Sequence, residues 1–168
     1  MHRPGPWLAL FTGALFAAAA SAADDLPHSS TVIGPTNPLL TDGTAALEAG
    51  RYEEGVRLTL AGLDRPNNSR DAAAGHSNVC AGYAALKRWH DALTHCNRAL
   101  ELDRNNWRTF NNRAAVFVGL KMYDLAVTDV NAGLELAPTS RTLHKCQQIV
   151  NEHRRAAERD RRRRSTKA

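Results

Sequence analysis

Residues 88–106, RWHDALTHCNRALELDRNN, and residues 122–140, MYDLAVTDVNAGLELAPTS, can be laid on one another without a gap. Trp89 falls on Tyr123, Ala92 on Ala126 and Ala99 on Gly133, and Leu100-Glu101-Leu102 falls on Leu134-Glu135-Leu136, every pair 34 positions apart. An earlier copy, RYEEGVRLTLAGLDRPNNS from Arg51, puts Tyr52, Gly55, Gly62 and Leu63 in the same roles. It lies 37 residues upstream, so the loop around Arg65–Ser69 holds three extra residues, an insertion that a surface loop absorbs cheaply. Apolar residues recur at three- and four-residue spacing, as amphipathic helices require, and no segment alternates as a strand does. Small residues recur where two helices must approach closely. Asn37, Asn106 and either Thr139 or Ser140 can cap helices, Pro38 suits a first turn and Pro138 stops a helix.

A period of 34 with these residues resembles the tetratricopeptide repeat. The third copy carries the pattern in Phe110, Ala114, Phe117, Tyr123, Ala126, Val130, Gly133 and Pro138. The second carries it in Val79, Cys80, Tyr83, Trp89, Ala92, Cys96 and Ala99, with Arg104 in place of the proline. The first is degenerate, with Leu39, Gly43, Ala46, Tyr52, Gly55, Thr59 and Gly62, and Pro66 one place early. The resemblance covers residues 37–140 and implies an all-α, short α-solenoid of three helix pairs: repeat 1 over 37–69, repeat 2 over 70–106 and repeat 3 over 107–140. Stacked pairs leave the last apolar face open, and residues 141–160 can cover it as a capping helix through Leu143, Cys146, Gln147, Ile149 and Val150. Seven helices are expected, followed by a basic disordered tail over 161–168.

The resemblance also implies a function. First helices of such pairs line a concave groove that binds extended peptides or partner helices. Counting along the repeat places Thr44, Ser77, Asn78, Arg108, Asn111, Asn112 and Lys145 there, beside Thr41, Leu47, Ala81, Ala85, Ala115 and Val118. Asn can hold a peptide backbone through its donor and acceptor, and Arg108 and Lys145 favour a carboxylate. The alternative is that Asn78 and Asn112 form a solvated face or link neighbouring helices. Some family members clamp a terminal carboxylate with Lys, Asn and Arg. Asn78 and Arg108 match two of those positions, but Leu40, Thr44 and Asn112 break the set, and that activity is not expected. On the groove reading, replacing Asn78, Arg108 and Asn112 by Ala abolishes capture with little change in melting temperature.

Residues 1–23 read as a secretory signal peptide: Arg3, an uncharged run of 14 residues from Trp7 to Ala20, then Ala20-Ser21-Ala22. That run is shorter than the roughly 20 residues a membrane span needs. Cleavage near Ala22 or Ala23 is expected, then a disordered leader over 24–36, no transmembrane segment in the mature chain, and a periplasmic or secreted location. An oxidising compartment leaves two readings for Cys80 and Cys96, which face each other in an antiparallel pair: a disulfide, or two small buried apolar residues.

Composition narrows the rest. The chain has 168 residues, 43% of them hydrophobic and 23% charged, with a formal charge of +5. The charge is uneven. Residues 154–168 hold eight basic side chains against Glu158 and Asp160, whereas the body from 23 to 153 has thirteen basic and fifteen acidic residues. The run Arg161, Arg162, Arg163, Arg164 is either a solubilising tail or a polyanion contact for an anionic envelope surface. Without interleaved aromatics or a reading helix, it does not point to nucleic acid. His76 and His95 lie near the cysteines but match no metal-binding motif, and no phosphate loop, nucleophile elbow or HExxH is present. The reading is a non-enzymatic adaptor for a protein partner, without cofactor or metal.

Overall fold

A computed structural model describes residues 37–65 and 67–167. The signal peptide and leader expected over 1–36 lie outside the described residues. Seven helices follow one another: α1 (Pro38–Glu48), α2 (Tyr52–Leu63), α3 (Ser69–Ala85), α4 (Trp89–Leu102), α5 (Trp107–Gly119), α6 (Tyr123–Leu136) and α7 (Arg141–Ser165). Each helix packs on its successor. The first helices α1, α3 and α5 also lie side by side, with α7 continuing that row. The result is three stacked pairs and a cover, the short solenoid the repeat implies.

Local chemistry explains the boundaries. Asn68, Asn106 and Ser140 cap α3, α5 and α7, their side-chain oxygens accepting from the backbone N–H groups of Asp71, Arg108 and Leu143. Asn37 stands at the N-cap of α1, but its side chain does not cap. Its Nδ2 instead donates to the Gly62 carbonyl at 2.9 Å and to Asn67 Oδ1 at 2.8 Å, tying the start of α1 to the end of α2. The turn inside each pair has one geometry. Gly50, Lys87 and Lys121 sit in the left-handed region with φ of 74°, 58° and 61°. The following residues, Arg51, Arg88 and Met122, donate back to the carbonyls of Ala46, Tyr83 and Phe117 at 2.8–2.9 Å. This closes the last turn of each first helix.

The core runs through the stack as adjoining clusters. Leu40 and Ala74 meet at one end. Leu47, Val56, Val79, Tyr83 and Val116 fill the middle. Phe117, Val118, Val130, Cys146 and Val150 fill the capped end. Leu143, Cys146 and Val150 are the buried face of α7, with Ile149 packed at its edge. One expectation fails. The cap does not end at 160: α7 continues through Ser165, so Arg161 to Arg164 are helical rather than part of a disordered tail. Its basic last turn suits the negative end of the helix dipole.

The left-handed turn yields a test. A side chain with a Cβ is disfavoured at that φ, and glycine is not. Lys87→Gly is expected to raise stability by about 0.5 kcal/mol and Lys87→Val to lower it by about 1 kcal/mol in urea denaturation.

Candidate functional site

The residues assigned to the groove lie along the row of first helices and α7, and most of them are buried. Thr44, Ser77, Asn78, Asn111 and Asn112 are all at or below 9% exposure. Thr44 Oγ1 donates to the Leu40 carbonyl at 2.9 Å and accepts from Asn78 Nδ2 at 2.8 Å, which joins α1 to α3. Thr109 Oγ1 donates to Ser77 Oγ at 2.9 Å, and Asn112 Nδ2 reaches the Ser77 carbonyl at 3.4 Å, which joins α3 to α5. Asn78 and Asn112 therefore link neighbouring helices. Removing them should lower stability, contrary to the expectation of an unchanged melting temperature, because an Ala there leaves buried polar partners behind.

Arg108 and Lys145 differ from these. Arg108 is half-buried at the start of α5, its guanidinium 4.5 Å from the centre of the Trp107 ring. Lys145 is exposed on α7, at the repeat position that Ser77 and Asn111 hold in α3 and α5. Neither makes an ion pair among the described residues.

Between the helices of pairs 2 and 3 lie three further ties. Cys80 and Cys96 are bonded, their Cα atoms 5.2 Å apart. One turn before Cys80, His76 Nδ1 is 3.0 Å from His95 Nδ1, and the His95 ring leans on Tyr83 with centroids 5.7 Å apart. Burial, then the neighbouring charges of His95 and Arg98, lower the His76 pKa to about 4. Burial also lowers that of His95, against the pull of Asp91. The third tie was not foreseen from sequence. Arg113 clasps Asp129 in a bidentate pair, with both N···O distances at 2.7 Å, and donates to Asn97 at 2.9 Å. Asp129 is 3% exposed; burial pushes its carboxyl up while Arg113 pulls it back. The available signal was periodicity, because Asp129 stands 34 residues after His95 and both bind across their own pair. Breaking one half of such a buried pair typically costs about 3–5 kcal/mol.

Burial, and to a lesser degree the Asp129 charge, push the Cys146 thiol up to about 12, so it packs as a small apolar group. Among the described residues no group of three or more His, Cys, Asp or Glu side chains could hold a metal, and no helix is long and apolar enough to cross a membrane. Arg161 to Arg164 are exposed on the outer half of α7, away from the groove residues of α1 and α3.

The architecture can be set beside known proteins. The chain superposes on the first TPR domain of human RPAP3 with a TM-score of 0.65 at 22% identity, covering 72% of this chain and 93% of that one. The Sgt2 TPR domain from Aspergillus fumigatus gives 0.65 at 18% identity, covering 79% and 87%. The fold is that of a tetratricopeptide-repeat array. The first TPR of Spaghetti (RPAP3), solved bound to the HSP90 peptide SRMEEVD, gives 0.62 at 23% identity, covering 68% of this chain and 91% of that one. By sequence, the peptidyl-prolyl cis-trans isomerase FKBP4 of Bos taurus is 27% identical over 124 residues, covering 67% of this chain and 27% of the relative. Mouse sperm-associated antigen 1 is 30% identical over 96 residues, covering 57% and 10%. The chain thus spans about a quarter or less of the length of these curated relatives. No family model matches it.

The histidine pair predicts a pH profile. A histidine whose folded pKa is lowered contributes stability that is complete above its ordinary 6.5 and is lost as pH falls toward about 4. Thermal unfolding followed between pH 7.5 and 3.5 is expected to show this acid limb, and His76→Gln to flatten it. An identical limb in the variant would locate the acid sensitivity elsewhere.

Proposed function

We propose that the protein is a non-enzymatic adaptor of the cell envelope, holding an extended peptide or partner helix along the row formed by α1, α3, α5 and α7. The observation that carries this reading is the pair of cations on that row, Arg108 and Lys145, neither of which enters an ion pair among the described residues. Thr44, Ser77, Asn78, Thr109 and Asn112 are buried in bonds between the first helices and fix the shape of the row, while Arg108 and Lys145 stand at its capped end. Arg108 is presented on a tryptophan ring, which holds its fork for a carboxylate. Solved neighbours with this fold support the assignment, two of them in complex with chaperone peptides. The FKBP4 similarity does not extend the reading to isomerase activity, since it covers only a quarter of that protein.

Two features support an envelope location. The signal-like residues 1–23 call for it, and the bond between Cys80 and Cys96 fits an oxidising compartment. Mature protein recovered from the envelope fraction should begin near Asp24, and intact mass with and without reductant should report one disulfide.

Groove binding is tested by placing a photo-crosslinking residue at Thr41 or Lys145 on the inner row and at Arg98 or Glu135 on the outer helices. Adducts with a protein partner are expected from the inner positions alone. Arg108→Ala with Lys145→Ala should weaken capture about tenfold while leaving the melting temperature nearly unchanged, since neither side chain holds a helix contact that the fold needs. Equal crosslinking from both rows would overturn the assignment.

A further inference from the structure

The last helix carries more charge than its packing uses. α7 is buried through Leu143, Cys146 and Val150, and its later turns pass the turn between α5 and α6. There the Tyr123 and His153 rings stack with centroids 6.3 Å apart. Beside them opens a cleft of about 540 Å³, with Ala156 and Ala157 on one wall. Three cations border it: Lys121 from the turn, and Arg161 and Arg164 one helical turn apart on α7. Asp160 is the sole carboxylate in its lining.

These three cations differ from Arg154 on α7. Arg154 lies 3.9 Å from both Asp124 and Glu158 in an adjoining cleft that Lys121 and Arg161 also border. Among the described residues Lys121, Arg161 and Arg164 enter no ion pair. Nor is their convergence a property of a basic tail alone. Lys121 belongs to another element, and its backbone is held at φ 61° by the turn that closes α5. Gathering like charges costs free energy that a bound anion offsets.

We propose that this cleft binds a phosphate group, held by Lys121, Arg161 and Arg164. A phosphate monoester carries about −1.5 to −2 at neutral pH, which matches three cations set against one carboxylate. Arginine forks give phosphate two parallel hydrogen bonds, and a lysine supplies a point charge. The tyrosine wall and small alanines leave room for whatever the phosphate is esterified to. A soluble phosphate monoester and the monoester headgroup of phosphatidic acid share this chemistry. The site is remote from the groove and independent of the adaptor reading.

The test uses the full chain, folded by circular dichroism, titrated with inorganic pyrophosphate by calorimetry and with phosphatidylcholine vesicles with or without phosphatidic acid by flotation. Lys121→Gly suits the turn and should keep the fold. Arg161→Gln with Arg164→Gln removes the other two cations. Arg162→Gln with Arg163→Gln removes equal charge from the same helix outside the cleft. Saturable binding that falls about tenfold in the first two variants and less than about twofold in the third supports the site. Pyrophosphate binding with that pattern indicates a soluble ester, and the same pattern confined to phosphatidic acid vesicles indicates a headgroup. Equal loss in all three variants would show diffuse attraction to a charged helix and overturn the site, as would no binding to either probe. Arg108→Ala with Lys145→Ala should leave this binding unchanged, which separates its failure from failure of the groove.

Discussion

The array depends on how closely the two helices of each pair cross. In the first pair the crossing point is Gly43 against Gly55 and Thr59. A Cβ on Gly43 would lie 2.9 Å from the Thr59 backbone nitrogen and would overlap the Thr59 hydroxyl. Thr59 turns that hydroxyl back to the Gly55 carbonyl at 2.7 Å, so the contact stays satisfied while fully buried. The same two repeat positions hold Cys80 and Cys96 in the second pair, and Ala114 and Val130 in the third. All are at most 1% exposed, apart from Gly43, which is buried as well. A side chain too large at this point would splay the pair and expose the apolar faces that stacking buries.

Around that fixed crossing the pairs differ in how they are tied. The first relies on close backbone contact. The second adds a covalent bond and a neutral histidine pair, and the third adds a buried bidentate ion pair. Between pairs the ties are hydroxyl and amide hydrogen bonds, from Thr44 to Asn78 and from Ser77 to Thr109 and Asn112. Buried polar groups of this kind contribute little net stability when satisfied and cost a great deal when half-satisfied. They therefore hold the register between neighbouring pairs, and with it the shape of the inner row.

Helix existence, pairing and order were legible because each rests on a local pattern repeated at 34 residues: small residues at the crossing, apolar spacing on one face, and Asn or Ser before three of the helices. The candidate groove was legible only as a set of repeat positions. Periodicity says which residues share a face, but not whether an asparagine on that face reaches outward or bonds to the next helix. Asn78 and Asn112 do the latter. The extent of α7 is not legible in the sequence, because its last turns lack an apolar face, and Arg161 to Arg164 carry a helix by intrinsic propensity and dipole complementarity alone.

By itself the sequence determined that this protein is an all-α array of three helix pairs with a cover, since that outcome follows from a period and from residue sizes. Tertiary structure alone decided which polar residues are spent on holding helices together and which cations remain unmatched. Lys121 and Arg164 are 43 positions apart, and Arg113 and Asp129 sixteen. The first two converge because the capping helix runs past a turn, and the second two because two antiparallel helices lie in contact. Charge compensation depends on distances of a few ångströms between groups from different helices, and only the packed arrangement sets those distances.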